Sequence, residues 1–255
     1  MLKAFYFLWR RSSMSRQQFV EYYENFHCAL IDSHIPPQMD FRRHFPIWQG
    51  REGELQERGP AGPFDAMTAI TYFDRDSFAR AQHVYHSAPF NAIVTEDETQ
   101  FLQREYIRLV VVDERTEHDG TWRAAPHGGG AKVLRFVWRP AGMTAVEFRQ
   151  SDSRDVSTIR QRLKGCLELR RNFLLTDDAI GYCTPALTEA SRESHVDRCD
   201  LIEEFWFAKV EDAAAALQAF DSGGADDVFP PSGSTVLAVE CEQYVSSPRT
   251  EASPA

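Results

Sequence analysis

The sequence predicts an α+β fold in which two ferredoxin-like β-α-β-β-α-β units are fused in one chain, their antiparallel sheets packed face to face as an α+β barrel. The first observation is a repeat: KAFYFLWR at residues 3–10 returns as KVLRFVWR at 132–139, an offset of 129. A period this long exceeds any solenoid unit and marks a duplicated domain. The second is that a helix-start signal follows each copy. The third is that each half then reads strand, strand, helix, strand. A four-stranded sheet with both helices on one side leaves an apolar face bare, and two such faces can bury each other.

The first strand covers residues 2–9, rich in aromatic residues. Ser15 and Gln18 form a capping box. Behind it Phe19, Tyr22, Tyr23 and Phe26, at i, i+3, i+4 and i+7, lay one apolar stripe along a helix. Pro36 and Pro37 end that helix near residues 32–34. A second strand spans 41–48, residues 49–63 read as a Gly- and Pro-rich loop, and a third strand spans 65–73. Asp74 or Asp76 caps a helix with Phe78, Ala81, Gln82 and Tyr85 on one face. Residues 95–98 open a short turn before Phe101, and 106–112 form the fourth strand.

The plan then repeats. Thr144 and Glu147 form a second capping box, and Phe148 matches Phe19. RRNF at 170–173 matches RRHF at 42–45, and DLIEEFWF at 200–207 matches 65–72. A helix over 210–220 and a strand over 236–245 complete the unit. The domain organisation is therefore 1–114, a polar linker at 115–130, 131–246, and a disordered tail at 247–255. The linker ends in HGGG, but no G-x-S-x-G follows to make it an oxyanion loop.

Composition excludes several classes. A net charge of −10 without a basic cluster opposes nucleic acid as a partner. No apolar run approaches the roughly 18 residues of a membrane span, and the amino terminus carries its charges after its apolar stretch, unlike a signal peptide. A cytoplasmic protein with no membrane partner is expected. Five cysteines, odd in number and without a CxxC pair, point to neither a disulfide framework nor a zinc site.

YFLWRR at 6–11, the helix S-x-x-x-F-x-x-Y-x-x-x-x-H ending at His27, the strand opened by Asp65, and TEDETQFL at 95–102 together resemble the EthD family of dimeric α+β barrels. DLIEEFWF resembles the family's third strand more closely than residues 65–73 do. The resemblance covers nearly the whole chain in two passes, apart from 49–63, the linker and the tail. It implies a class that includes polyketide cyclases, aromatic decarboxylases, isomerases, monooxygenases and haem-degrading enzymes, several of which place a His or an acid between sheet and helices. Fold alone does not choose among them.

His27 is the first candidate for chemistry. It lies on the apolar helix near its C-terminal end, where the dipole favours a protonated imidazole, and the resemblance falls on it. A capping or satisfied core histidine would occupy the same place. By the 129-residue offset its counterpart is Val156, so the amino-terminal unit is the expected active half and the second a scaffold. His44 on the second strand and Tyr23 are expected to orient the substrate or His27. Trp9, Trp48, Tyr72 and Phe26 would line an apolar pocket, though each fits an ordinary core, and His86 and Asp97 are further substrate-binding candidates. His83 and His86, spaced i, i+3, could hold a metal; no metal site is assigned. Arg10 and Arg11 could steer a carboxylate, although Arg139 persists in the second half.

The function expected is a cofactor-independent lyase or isomerase performing a decarboxylation, dehydration or cyclisation. His27 would act as general acid and base on a small hydrophobic aromatic or polyketide-like substrate, with no cofactor. A haem- or metal-dependent monooxygenase of the same fold and a non-enzymatic binding protein remain alternatives. The partner expected is a small molecule. The chain would form an intrachain pseudo-dimer, with a further homodimer left open.

Overall fold

The structure is a computed structural model that describes residues 1–47, 64–116, 131–137, 139, 142–151, 163–175, 199–221 and 234–246. The amino-terminal half contributes strands β1 (Leu2–Leu8), β2 (Asp40–Ile47), β3 (Ala66–Tyr72) and β4 (Arg108–Thr116). Its helices are α1 (Arg16–Tyr22), a π turn at Tyr23–His27, α2 (Cys28–His34), α3 (Arg75–His86) and α4 (Phe90–Phe101). The second half contributes β5 (Ala131–Val137), α5 (Ala145–Ser151), β6 (Cys166–Leu174), β7 (Leu201–Phe207), α6 (Val210–Asp221) and β8 (Ser234–Ser246).

The eight strands close into an antiparallel barrel in the order β1-β3-β2-β8-β5-β7-β6-β4. Closure removes sheet edges, whose unpaired backbone groups would otherwise need cover. The two last strands of the repeat make the joins. β4 pairs with β1 through Val112 and with β6 from Val112 onward. β8 pairs with β5 through Ser234–Glu240 and with β2 through Glu240–Ser246. Each half thus donates one long strand to the other, as a pseudo-two-fold requires. β4 runs to Thr116, so the linker begins later than residue 115.

Alternation along the strands sorts the side chains into two environments. Phe5 and Phe7 of β1, and Trp9 just beyond it, face the barrel interior with Met67, Val110, Leu134, Phe136 and Ile202. Leu2, Ala4, Tyr6 and Leu8 face outward and pack under the helices with Phe19, Tyr23, Phe41, Phe45, Phe78 and Phe101. The interior also holds ionised groups. Lys3 and Lys132, the matching first lysines of the repeat, converge on Glu204 at 2.6 and 2.5 Å, and Lys3 also reaches Glu114 at 2.5 Å. Asn172 donates to Glu204 at 3.0 Å, and Lys132 lies 3.6 Å above the Trp206 ring centre. Buried charges persist only when paired in this way.

Local signals act where the sequence places them. Ser15 and Gln18 cap α1 reciprocally, Asp74 and Ser77 cap α3, and Thr144 and Glu147 exchange the same bonds before α5. Two expectations are corrected. Residues 95–98 are not a turn: they lie in mid-course of α4, whose Phe90, Val94, Glu98 and Phe101 recur with helical period and are buried. The helix behind β1 is not regular either, because a π turn widens it at Tyr23–His27. No helix among the described residues is long and apolar enough to cross a membrane.

Candidate active site

The site is built by that π turn. In a regular helix the stripe Phe19, Tyr22, Tyr23, Phe26 would face the sheet. The wider turn advances the inward position by one, so Phe19, Tyr23 and His27 are buried while Phe26 is 63% exposed. Phe26 packs against Tyr22 at the surface and does not line the cavity described below. Tyr23 and Phe101 hold the His27 ring, with centroids at 5.1 and 5.0 Å.

α4 supplies the partner. His27 Nδ1 is 2.6 Å from Asp97 Oδ2, and the Tyr22 hydroxyl donates to Asp97 Oδ1 at 3.0 Å. A carboxylate accepts only, so the proton of a neutral imidazole sits on Nδ1 and Nε2 is left as an acceptor. Nε2 has no partner among the described residues, nor is it a sealed buried atom, and His27 lines a cavity. Burial, followed by the Asp97 carboxylate, pushes the Tyr22 hydroxyl up to about 12, so it remains a donor.

That cavity, about 610 Å³, lies between the outer face of the amino-terminal sheet and the helices. Such a size suits a small-molecule ligand. Tyr6, Tyr23, Tyr72 and Tyr85 line it together with Thr68, Gln82, Glu98 and apolar Ile31, Ile35, Phe41, Ile70 and Leu102. Tyr23 and Thr68 share a 2.7 Å hydrogen bond on its floor. Gln82 Nε2 donates to the Tyr6 hydroxyl oxygen at 2.9 Å. Tyr85 donates to Glu98, whose other oxygen accepts from Arg104 Nε at 2.8 Å. Burial raises the ionisation of all four tyrosines, which keeps their hydroxyls protonated.

Tyr23, His27, Tyr72 and His86 therefore meet in one cavity, with Asp97 behind His27; His86 is exposed at its mouth, and burial lowers its pKa. His44 and Trp9 do not join them. His44 is fully buried inside the barrel, where Lys132 Nζ donates to its Nε2 at 3.1 Å, and burial and Lys132 push its pKa well below the usual range. Trp9 packs on Phe64 and Tyr106 on the same inner side. Trp48 and Val156 lie outside the described residues, as does HGGG at 127–130. Arg10 is tied to Asp65 at 2.8 Å and Arg11 to the Thr99 carbonyl, and neither lines the cavity. His83 is exposed, and no group of three or more metal-ligating side chains occurs among the described residues.

The second unit has a different floor. The cross-strand pair Tyr6 and Thr68 of β1 and β3 corresponds to Arg135 and Glu203 of β5 and β7. These form a buried ion pair at 3.0 Å, joined by Arg171 at 3.3 Å. Where the first half offers hydroxyls to a cavity, the second offers charges to each other.

A closed antiparallel barrel with helices outside and a histidine–carboxylate pair in one sheet–helix cleft defines the class: an α+β barrel of two ferredoxin-like halves. Residues 11–105 match the EthD domain model. No curated protein matches the sequence. Among solved structures, an anthrone oxidase-like protein superposes with a TM-score of 0.57 at 9% identity, covering 100% of this chain and 96% of that one. A candidate monooxygenase from Lactobacillus acidophilus NCFM reaches 0.48 at 8% identity, with 97% of each chain covered. The encapsulated DyP-type peroxidase of Mycobacterium smegmatis reaches 0.43 at 11% identity, covering 97% and 92%.

Proposed function

We propose that the chain is an enzyme in which His27, oriented by Asp97, takes a proton from a flat, oxygenated aromatic or polyketide-like substrate and returns it in a lyase- or isomerase-type reaction. The observation that carries this is the 2.6 Å His27–Asp97 contact at the wall of a 610 Å³ cavity, which leaves Nε2 free to accept. A positioned imidazole contributes about 10²–10⁴-fold to such a transfer. Four tyrosines and apolar walls suit a planar ring with oxygen substituents. Arg104, the guanidinium of the cavity, is held by Glu98, which favours a neutral phenol or ketone over a carboxylate.

The test uses anthrone, a ketone with an acidic C–H, chosen for the name of the fold neighbour. Exchange of that C–H in D₂O is followed by NMR with an oxygen electrode alongside. Exchange by the protein that His27→Gln abolishes is expected. Exchange undiminished in a folded His27→Gln protein refutes the role of His27. Oxygen uptake accompanying the exchange would move the reaction class from lyase to oxidase without changing the base.

A further inference from the structure

Proton abstraction by His27 leaves one feature of the cavity floor unused. Tyr6 stands in mid-strand on β1. Its oxygen accepts from Gln82 Nε2 at 2.9 Å. A phenol oxygen has two lone pairs and one proton. Gln82 takes one lone pair, and among the described residues no hydrogen bond is made by the O–H. Tyr6, Tyr72 and Gln82 all line the cavity. A donor on the phenol oxygen polarises its O–H in the low dielectric of the cleft and strengthens it as a donor.

The placement relative to the base is also fixed. Tyr6 pairs with Thr68 across β1 and β3, Thr68 is bonded to Tyr23, and the Tyr23 ring packs on His27. A row of polar groups therefore crosses the floor from the imidazole to the Tyr6 hydroxyl, along a face that a planar molecule can cover.

We propose that Tyr6 is a second catalytic residue, whose O–H hydrogen-bonds the substrate oxygen that becomes negative when His27 removes the nearby proton, with Gln82 as a positioning residue. The inference rests on the reading of His27 given above. The substrate C–H bond breaks, its proton goes to Nε2, and its electron pair moves onto the carbonyl oxygen. Tyr6 keeps its own proton throughout and stabilises that oxygen as a fixed donor. The imidazolium then returns the proton to the product. Arg135 takes the place of Tyr6 in the second half and is already committed to Glu203.

The test uses 4-nitrophenol, whose visible absorbance reports its own ionisation and whose anion imitates the developing oxyanion. The apparent pKa of the bound probe is measured in the unmodified protein and in Tyr6→Phe, Gln82→Leu, Tyr72→Phe and His27→Gln. Tyr6→Phe is expected to raise it by about one to two units, the size of one hydrogen bond to a charged group. Gln82→Leu, which removes the donor to the Tyr6 oxygen, and Tyr72→Phe, which alters the cavity wall, should raise it by less. They also keep the inference testable if Tyr6→Phe fails to fold. A probe that does not bind, or a bound pKa unmoved in the folded variants, overturns it. If Tyr6→Phe moves the probe while His27→Gln leaves anthrone exchange intact, the base assignment falls and the oxyanion site stands. The reverse pair of results sinks Tyr6 alone.

Discussion

His27 and His44 are separated by the thickness of one sheet and have opposite chemistry. His27 leans over the outer face with a carboxylate 2.6 Å from Nδ1 and a cavity before it. His44 points inward, fully buried, with the Lys132 ammonium 3.1 Å from Nε2. A cation donating to a ring nitrogen, far from water, holds that ring neutral. His44 belongs to the interior of the barrel, and His27 to the wall of the cavity.

Stability should therefore respond to acid in two steps. Burial and then Lys132 depress His44, and Lys132, Lys3 and Arg170 outweigh burial in holding the Glu204 carboxyl well below its ordinary range. In both cases the unfolded chain takes up the proton first as pH falls. The contribution of His44 is complete above about pH 6.5 and declines below it by about 1.4 kcal/mol per pH unit, until its folded pKa is reached. Glu204 adds a second decline below about pH 4.3. His44→Asn, which installs the residue found at the matching position 172, should remove the first step. Urea midpoints at pH 7.5, 6 and 5 measure this; an unchanged slope in the variant contradicts it.

Glu204→Gln leaves two buried lysines without their shared partner and should cost about 3–5 kcal/mol. The double variant with Lys132→Met should cost less than the sum of the single changes, because the two residues are in contact. Urea midpoints at constant denaturant slope provide the readout. Strict additivity would show that the network is not coupled.

Asp97→Asn should lower anthrone exchange by about a hundredfold or more, since an amide no longer selects the Nδ1–H tautomer. Tyr22→Phe removes one of two hydrogen bonds to Asp97 and should leave the rate within about tenfold. Equal losses in the two variants would assign Asp97 a packing role only.

Phe101 and Phe26 separate core from surface around the π turn. Phe101 is fully buried beneath His27, Tyr23 and Tyr22, so Phe101→Ala should cost about 3–5 kcal/mol. Phe26→Ser, on the exposed side, should stay within about 0.5 kcal/mol. Thermal and urea unfolding compare them, and a large loss at Phe26 would return that residue to the core.

The duplicated barrel was legible because the repeat, the capping boxes and the alternating strands are local signals. The expectation that put His44 and Trp9 in the cleft overlooks a signal that is present: Phe41 and Phe45 alternate with His44, and Tyr6 and Leu8 alternate with Trp9. Only one set can face the helices. The π turn was not legible, because a 3.6-residue stripe places Phe26 inward and nothing nearby marks the extra residue. Helix α4 hid behind its acidic run, which resembles a cap, although Phe90, Val94 and Phe101 carry its period. The pairing of Asp97 with His27 spans 70 residues and depends on how α4 docks, which no spacing reveals. The standing of Tyr6 is hidden for the same reason: Gln82 reaches its oxygen across 76 residues.

The most direct measurement is the tautomer of His27, read from long-range ¹H–¹⁵N NMR spectra of protein labelled at histidine nitrogens and assigned with His27→Gln. A proton on Nδ1 and an unprotonated Nε2 that shifts when 4-nitrophenol is added is the expected result. A proton on Nε2, or an Nε2 signal indifferent to any ligand in the cavity, would contradict a base poised against substrate.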